Sequence, residues 1–257
     1  MVAGRREGFE GMSSATHSSP FRTYRASQQP DLVSFQLVIE ETDLWVAARQ
    51  DLSASMADLV RLLRGQIRAY AAIHPQFLPS LIPLDAGPHA PEIVHRMCRA
   101  GQLTGVGPMA AVAGTVAQMV AEHFHGQSPD LLVENGGDTY LFSTRDRHIG
   151  ILSMPDEDVR LCVPVRAIEF PCSFCASSAK IGHSLSFGNA DLVVTRSRDA
   201  ALADAAATAL ANALKDAESM DTVLAQAQAW ETIGLDGVFT QCEGKIGVWG
   251  KMELAVV

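Results

Sequence analysis

The chain has 257 residues, of which 47% are hydrophobic and 19% charged, and its formal net charge is −9. This composition excludes an intrinsically disordered chain and allows one long domain or two short ones. The acidic balance excludes a nucleic-acid partner, because binding phosphates without a metal needs a basic surface. The sequence has no apolar run long enough to span a membrane and begins without the apolar segment of a signal peptide, so we expect a cytoplasmic protein.

The amino-terminal part of the chain changes character near residue 22. Residues 1–22 are rich in Gly, Ser, Arg and His and lack apolar periodicity, which predicts a disordered tail before a single domain at 23–257. Two strand-like runs follow at 35–39 and 44–48. The polar residues between them predict an antiparallel hairpin.

Two main helices are predicted before the middle of the chain, with a short amphipathic helix marked by Ile93, Val94, Met97 and Cys98 between them. Ser55 and Asp58 form a capping signature, and apolar residues at helical spacing follow them up to a proline-rich surface loop at 75–91. Pro108 fits the first turn of the second helix, which extends to about His123. Small apolar side chains surround that helix on almost every side, so we expect it to be buried.

The second half of the chain mixes strands with helices. Strands are predicted at 131–134, 139–142, 148–153, 160–166 and 191–195, helices at 199–217 and 220–230, and a closing hairpin at 237–241 and 246–254. This mixed order predicts an α+β fold in which an antiparallel sheet packs on helices.

The run Glu134-Asn135-Gly136-Gly137-Asp138 is the most informative stretch of the sequence. Two adjacent glycines between β-prone segments indicate backbone that turns with positive φ or that another group approaches closely. The flanking amide and carboxylate suit a ligand that lies on bare backbone, with Asp138 available for a metal or for a polar hydrogen of the ligand. An ordinary hairpin turn is the alternative, because Gly-Gly pairs are common turn residues.

Five cysteines are scattered along the chain, and an odd number does not form a secreted disulfide framework. Cys172 and Cys175 have the C-x-x-C spacing that is typical of a redox pair or of half a zinc site. No second pair completes a zinc site in the sequence, so structural thiols are the favoured interpretation.

The helix predicted at 199–217 carries a polar stripe. Asp204 and Thr208 lie four residues apart and therefore on one helix face, where the neighbouring side chains are mostly alanine. Carboxylate and hydroxyl oxygens are the donors that Mg²⁺ and Ca²⁺ prefer. A solvated helix face is the alternative, although such faces normally carry Lys and Glu.

Taken together, these motifs resemble the ApbE-type flavin transferase superfamily and, more closely, a branch related to it. The likeness covers most of residues 24–255 and is carried by segments 41–44 (ETDL), 106–114 (VGPMAAVAG), 133–138 (VENGGD), 182–191 (GHSLSFGNAD) and 203–209 (ADAAATA). Each motif is weak alone, but the set is specific. The resemblance implies an ApbE-like α+β fold of the T-fold type, with flavin adenine dinucleotide (FAD) held where the Gly-Gly turn and the central helix meet.

The resemblance also implies roles for individual residues. Asp204, Thr208 and the carbonyl of Ala110 would hold Mg²⁺ beside a pyrophosphate, and His183 would be the catalytic residue, as a general base. Contacts to the flavin are implied for Gly107, Met109, Asn135, Gly136, Gly137, Asp138, Ser177 and Ser178. The metal would supply the positive charge that this acidic chain lacks.

Three functional hypotheses follow. The first is an enzyme that cleaves or transfers across the phosphoanhydride of a flavin or nucleotide. The second is a binding module without chemistry, because Ala111 stands where the resemblance implies a lysine, and a Ser-Gly-Asp-Tyr segment is reduced to Ser177-Ser178-Ala179. The third is a homo-oligomeric interaction protein, with which the apolar content is compatible. The expected partners are a small-molecule flavin or nucleotide and further copies of the chain, with no nucleic acid and no membrane.

Overall fold

Two antiparallel sheets organise the computed structural model, which describes residues 31–151, 161–178 and 190–256. The strands are β1 (Val33–Ile39), β2 (Thr42–Ala48), β3 (Leu131–Asn135), β4 (Asp138–Phe142), β5 (Arg147–Ile151), β6 (Leu161–Val165), β7 (Cys172–Ser177), β8 (Leu192–Ser197), β9 (Leu235–Cys242), β10 (Lys245–Gly250) and β11 (Ala255–Val256). The larger sheet has the order β1-β2-β3-β4-β7-β8-β9-β10, and the smaller has the order β11-β6-β5. The predicted tail at 1–22 and the start of the predicted domain lie outside the described residues.

Helices cover one face of the large sheet. They are α1 (Ser53–Ile73), α2 (Glu92–Thr104), α3 (Val112–Phe124), α4 (Ala200–Ala213) and α5 (Met220–Ala229). One apolar cluster joins α1 to α4 with β2, β3, β4 and β7, and a second joins α4 and α5 with β8 and β9. The predicted α+β fold, with an antiparallel sheet packed on helices, is confirmed.

The small sheet covers the opposite face. Leu141, Phe174 and Phe239 of the large sheet pack against Val163 and Val165 of β6 in a third buried cluster. The large sheet is therefore a middle layer, and alternate residues of each central strand face either the helices or the small sheet.

Helices α3 and α4 pack unusually closely because their facing side chains are small. A Cβ atom at Gly114 would lie 2.3 Å from the carbonyl oxygen of Ala200, so only glycine fits there. Helix α4 is rich in alanine, which favours helix, and Asp199 caps it by accepting hydrogen bonds from the Ala201 and Leu202 amides. This close pair of helices sits directly on the centre of the large sheet.

The predicted capping signature of the first helix is wrong. Helix α1 begins two residues earlier, at Ser53, and its N-cap residue Leu52 supplies no side-chain bond. The Asp58 carboxylate instead pairs with Arg61 at the surface. The second predicted helix also divides: Pro108–Ala111 form a 3-10 turn, and the α-helix proper begins at Val112.

Other boundaries differ in the second half of the chain. Strand β7 was not predicted, because its Cys, Ser and Ala residues have weak β-propensity. Helix α4 ends at Ala213 rather than near 217, because the Ser219 hydroxyl accepts the Lys215 and Asp216 amides and turns the chain. The closing hairpin consists of β9 and β10.

No single helix of the described residues is long and apolar enough to cross a membrane. The pair Glu92–Thr104 and Pro108–Phe124 reaches that length and apolar content together, but the two helices are bent by 106°. Both members of the pair bury apolar side chains in the first core cluster.

Candidate functional site

The glycine pair joins β3 to β4 in a two-residue hairpin. Gly136 and Gly137 have φ angles of 68° and 114°, a backbone that favours glycine. The hairpin alternative is therefore correct for the backbone. The turn is also anchored to the helix layer, because Asn135 Nδ2 donates a hydrogen bond to the Ala113 carbonyl at 3.1 Å, at the start of α3.

Asp204 reaches the same point from α4. Its Oδ2 accepts a hydrogen bond from the Gly114 amide at 2.8 Å, and the Ala113 amide also donates to it. Helix α3 has no side-chain cap of its own, so Asp204 satisfies its first amides from the neighbouring helix. The side chain is buried, which makes the solvated-face alternative wrong for Asp204. Burial, and then the charge of Asp138, raise the pKa of this carboxyl well above its usual range.

Asp138 follows the glycine pair and points into the protein. The residue is 6% exposed, its Oδ1 accepts a hydrogen bond from the Ala176 amide at 3.1 Å, and the Cys175 thiol also donates to the carboxylate. Burial raises the pKa of Asp138 to about 7, with a smaller contribution from the charge of Glu134. No basic side chain of the described residues is among the groups that set the pKa values of Asp138 and Asp204.

The other predicted metal-binding positions lie on elements that touch. Thr208 is half-buried one helical turn after Asp204, and Ala110 is half-buried in the 3-10 turn before α3. That turn packs directly against α4. The structure therefore places the elements that carry Ala110, Asp204 and Thr208 side by side.

Gly107 and Met109 occupy the entry to this 3-10 turn. A Cβ atom at Gly107 would lie 1.8 Å from the carbonyl oxygen of Ser80, so the proline-rich loop passes directly over this glycine. Met109 is half-buried against the first core cluster. Close packing of the protein on itself explains Gly107, whose predicted contact to the flavin stays a prediction.

Ser177 and Ser178 end β7. The Ser178 hydroxyl donates a hydrogen bond to the Asp191 carbonyl at 2.6 Å. Ser177 is 4% exposed, and its Oγ has no hydrogen-bond partner among the described residues. By strand alternation Ser177 shares with Cys175 the face of β7 that carries α4. An unpartnered buried hydroxyl therefore lies on the predicted side of the site.

The two cysteines of the C-x-x-C pair lie on opposite faces of the large sheet. Cys175 belongs to the helix-side cluster and Cys172 to the cluster under the small sheet. Burial raises the pKa of Cys172 to about 12 and that of Cys175 well above its usual range. They are free, buried thiols, and their places on opposite faces of the sheet keep them from pairing with each other.

Other features delimit the site. His183 lies outside the described residues. Within them, no group of three or more His, Cys, Asp and Glu side chains is arranged to hold a metal ion.

Two cavities lie away from the predicted site residues. One, of about 220 Å³, follows residues 70–87, and the other, of about 10 Å³, is lined by Leu32 and residues 131–149. Neither is lined by a predicted site residue.

Sequence reasoning missed three residues at the junction where the β3–β4 turn, β7, α3 and α4 meet. Cys175 and Ala176 hold Asp138, and Gln118 of α3 accepts the Ala200 amide at 2.7 Å, at the start of α4. Gln118 is a lone polar residue in a small-sided apolar helix, a signal that predicts a buried hydrogen-bonding role. Cys175 and Ala176 carry no comparable signal, because β7 was not predicted.

Archaeal relatives align with most of the chain. A UPF0280 protein of Methanocaldococcus jannaschii is 34% identical over 222 residues, which cover 84% of this chain and 90% of the relative. A UPF0280 protein of Methanopyrus kandleri is 38% identical over 182 residues, which cover 70% of this chain and 74% of the relative.

Solved structures share the fold at low sequence identity. The flavin transferase ApbE of Vibrio cholerae has a TM-score of 0.54 and 11% identity, over 85% of this chain and 96% of that one. The apo flavinyl transferase ApbE of Pseudomonas stutzeri has a TM-score of 0.57 and 11% identity, over 85% of this chain and 94% of that one. The family model described as AbpE bacteria matches residues 24–237. The resemblance drawn from the motifs is thus confirmed, and the chain belongs to the AbpE family of bacteria, with an ApbE-like fold.

Proposed function

We propose that this protein binds FAD or a related flavin or nucleotide, together with Mg²⁺, where the β3–β4 turn, the start of α3 and α4 meet. The observation that carries the proposal is the pair of buried carboxylates there, Asp138 and Asp204, which have no basic partner among the described residues. Buried charges are normally paired with an opposite charge or bind a metal. A divalent cation bound at Asp204 would compensate the charge of both carboxylates.

The donors at the junction fit these two groups. Carboxylate, hydroxyl and carbonyl oxygens are the ligands that Mg²⁺ prefers, and Asp204, Thr208 and the Ala110 carbonyl are the residues that would hold it. The Ser177 hydroxyl has no partner among the described residues and would be available to a ligand. The fold shared with the two flavin transferases adds support for a flavin as that ligand.

The remaining predicted residues would bind and orient the flavin nucleotide. The backbone of Gly136 and Gly137 carries no side chains and suits a flat ligand edge, while the Gly137 amide is held by Glu134 Oε1 at 2.9 Å. Asn135 fixes this turn against α3. Gly107 and Met109 would line the entry beside α3, and Ser177 and Ser178 the floor along β7.

The reaction we propose is cleavage of the phosphoanhydride, or transfer across it to a small acceptor. In the hydrolytic case a water oxygen bonds to one phosphorus, the bridging P–O bond breaks, and the two mononucleotides leave. His183 would accept the proton of the attacking group. Bound Mg²⁺ supplies positive charge to the phosphoryl oxygens as the bond opens.

A non-catalytic flavin-binding module is the second candidate. It is favoured by the hydrogen bonds of Asp204, whose Oδ2 already caps α3, and by Ala111 at the position of the expected lysine. A homo-oligomeric protein in the cytoplasm without a flavin is the plainest alternative. If flavins and nucleotides leave the melting temperature unchanged at saturating concentration, that alternative replaces both binding hypotheses.

The deciding experiment incubates the purified protein with FAD and MgCl₂ and measures mononucleotides by liquid chromatography. The enzyme should release flavin mononucleotide and AMP, or transfer the flavin mononucleotide to an added acceptor. Asp204→Asn should abolish product, whereas Asp221→Asn, at an exposed aspartate of α5, should not. Unchanged FAD that still raises the melting temperature would support the binding module instead.

A further inference from the structure

We propose that Asp138 is a positioning residue of the cation site: its buried negative charge, held by the Ala176 amide and the Cys175 thiol, strengthens binding of a divalent cation at Asp204 without touching the cation or the flavin. This inference rests on the proposed function and revises the predicted direct contact of Asp138 with the ligand. Three features of the junction carry it.

The first feature is the short path between the two carboxylates. The Cys175 side chain lies between Asp138 and α4. Its thiol interacts with the Asp138 carboxylate, and its sulfur donates a hydrogen bond at 3.6 Å to the carbonyl oxygen of Ala200 in the first turn of α4. Asp204 lies four residues after Ala200 and so on the same face of that helix. A Cβ atom at Gly114 would lie 2.3 Å from the Ala200 oxygen and 2.9 Å from the Asp204 Cβ, which leaves no room for another side chain there.

The second feature is the bonding of Asp138. The Ala176 amide donates to its Oδ1 at 3.1 Å, and the thiol donates to the same carboxylate. These donors come from two successive residues of β7 and hold the carboxylate against that strand. The side chain is therefore directed into the protein and away from the outer surface of the glycine turn.

The third feature is the burial of the pair, with no basic side chain of the described residues acting on it. Asp138 and Asp204 are buried, and the described groups that act on them are amides, a thiol and the Glu134 carboxylate. A fixed negative charge acts over longer distances in a poorly polarisable interior than in water. It attracts a doubly charged ion twice as strongly as a singly charged one, so Asp138 should favour Mg²⁺ over Na⁺ or K⁺.

Cys175 has a defined part in this arrangement. Its thiol stays protonated because burial and the neighbouring carboxylates raise its pKa, so it donates a hydrogen bond and adds no charge. Serine can donate the same bond from the same position, whereas alanine cannot. Cys175 therefore holds the charge of Asp138 in place, and its replacement should affect cation binding less than the loss of that charge.

The test titrates the metal-free protein with MgCl₂ by isothermal calorimetry at pH 8 and measures the melting temperature in EDTA. Asp138→Asn keeps an acceptor for the Ala176 amide but removes the charge. We expect its Kd for Mg²⁺ to rise about tenfold, or about 1.4 kcal/mol, while its melting temperature in EDTA stays equal to the wild-type value or rises. A merely structural Asp138 would give the opposite pattern, with a lower melting temperature and an unchanged Kd, and would overturn the inference.

Cys175→Ala and Cys175→Ser provide a second test, which decides the matter if Asp138→Asn does not fold. We expect the alanine variant to weaken Mg²⁺ binding about threefold and the serine variant to restore it. An identical Kd for wild type, alanine and serine variants would overturn the inference.

Two controls separate this inference from the proposed function. Asp204→Asn should abolish the Mg²⁺ titration, and Asp221→Asn should leave it unchanged. If the wild-type protein does not bind Mg²⁺, the proposed function and this inference both fail. If Asp204→Asn alone loses the ion and Asp138→Asn binds it like wild type, only the role of Asp138 is wrong.

Discussion

Two regions of this protein bury carboxylates, and they treat them in opposite ways. Asp130, at the start of β3, accepts hydrogen bonds from the Thr144 amide and hydroxyl and from Arg49 Nε at 2.9 Å. Burial alone would raise its pKa, but these donors lower the pKa well below its usual range. At the other end of β3, burial raises the pKa of both Asp138 and Asp204, and no arginine or lysine of the described chain compensates them.

The difference separates a structural carboxylate from a candidate binding site. Around Asp130 the protein provides its own counter-charge, so folding alone satisfies the carboxylate. Around Asp138 and Asp204 the charged form is unfavourable until something positive binds. The raised pKa values are consistent with the cation site that we propose at Asp204.

The largest expected effect is on the pH dependence of the free energy of unfolding, to which the two regions contribute with opposite sign. Asp138 titrates near pH 7 when folded and near about 3.9 when unfolded. The unfolded chain therefore binds fewer protons between those values, and through Asp138 alone metal-free stability should fall by about 4 kcal/mol as pH rises from about 4 to above 7. Urea unfolding in EDTA at pH 5 and pH 8 should record roughly two thirds of this fall, together with a further fall from Asp204, whose pKa is also raised.

The free energy of unfolding below about pH 4 tests Asp130. Its lowered pKa contributes stability that is present above about pH 4 and is lost as the pH falls below that value. The variant Asp138→Asn should reduce the fall in stability between pH 5 and 8 without removing it, because the pKa of Asp204 is also raised by burial. It should leave the acidic part of the curve unchanged. A stability that is constant or rises from pH 5 to 8 in EDTA would contradict the comparison.

The next largest effect is expected for Asp130→Ala. This change leaves the Thr144 amide and Arg49 without their acceptor and should lower the free energy of unfolding by about 3 kcal/mol. Asp58→Ala is the matched control, because its pair with Arg61 is exposed, and should change stability by less than about 0.5 kcal/mol. Chemical denaturation at pH 7 measures both, and equal effects would show that the Asp130 network contributes little.

Gly114→Ala should destabilise the protein by about 2 kcal/mol. Alanine normally favours a helix over glycine, but here its Cβ would lie 2.3 Å from the Ala200 carbonyl oxygen and force α3 and α4 apart. Gly65→Ala, in α1, has open space at the same atom and should be neutral or stabilising. The two melting temperatures test this contrast, and a stabilised Gly114→Ala would contradict the close helix contact.

The smallest effect on stability is expected for Thr208→Val. The residue is half-buried and similar in shape to valine, so the free energy of unfolding in EDTA should change by less than about 0.5 kcal/mol. The rise in melting temperature that Mg²⁺ produces should nevertheless shrink if Thr208 binds the ion. A full rise in the variant would remove Thr208 from the proposed site.

Much of the local structure follows from the sequence because it depends on neighbouring residues. The positive φ of Gly136 and Gly137, the hairpins and the alanine-rich helix α4 all reflect preferences of short segments. The motif set also predicted the family. The capping signature at Ser55 failed because Ser and Asp occur inside helices as well as at their ends, and β7 was missed because its composition favours no element.

The sequence by itself determined which segments turn, which form helices, and which residue types carry oxygen donors. Only the tertiary structure decided what those donors touch: Asp204 caps a helix 90 residues away in the sequence, Cys172 and Cys175 face opposite layers, and Asp138 bonds to a strand that the sequence did not predict. Burial and hydrogen bonding depend on the packing of distant segments, and they set the pKa of each carboxylate. For that reason Asp130 and Asp138, two aspartates at the two ends of one hairpin, have pKa values shifted in opposite directions.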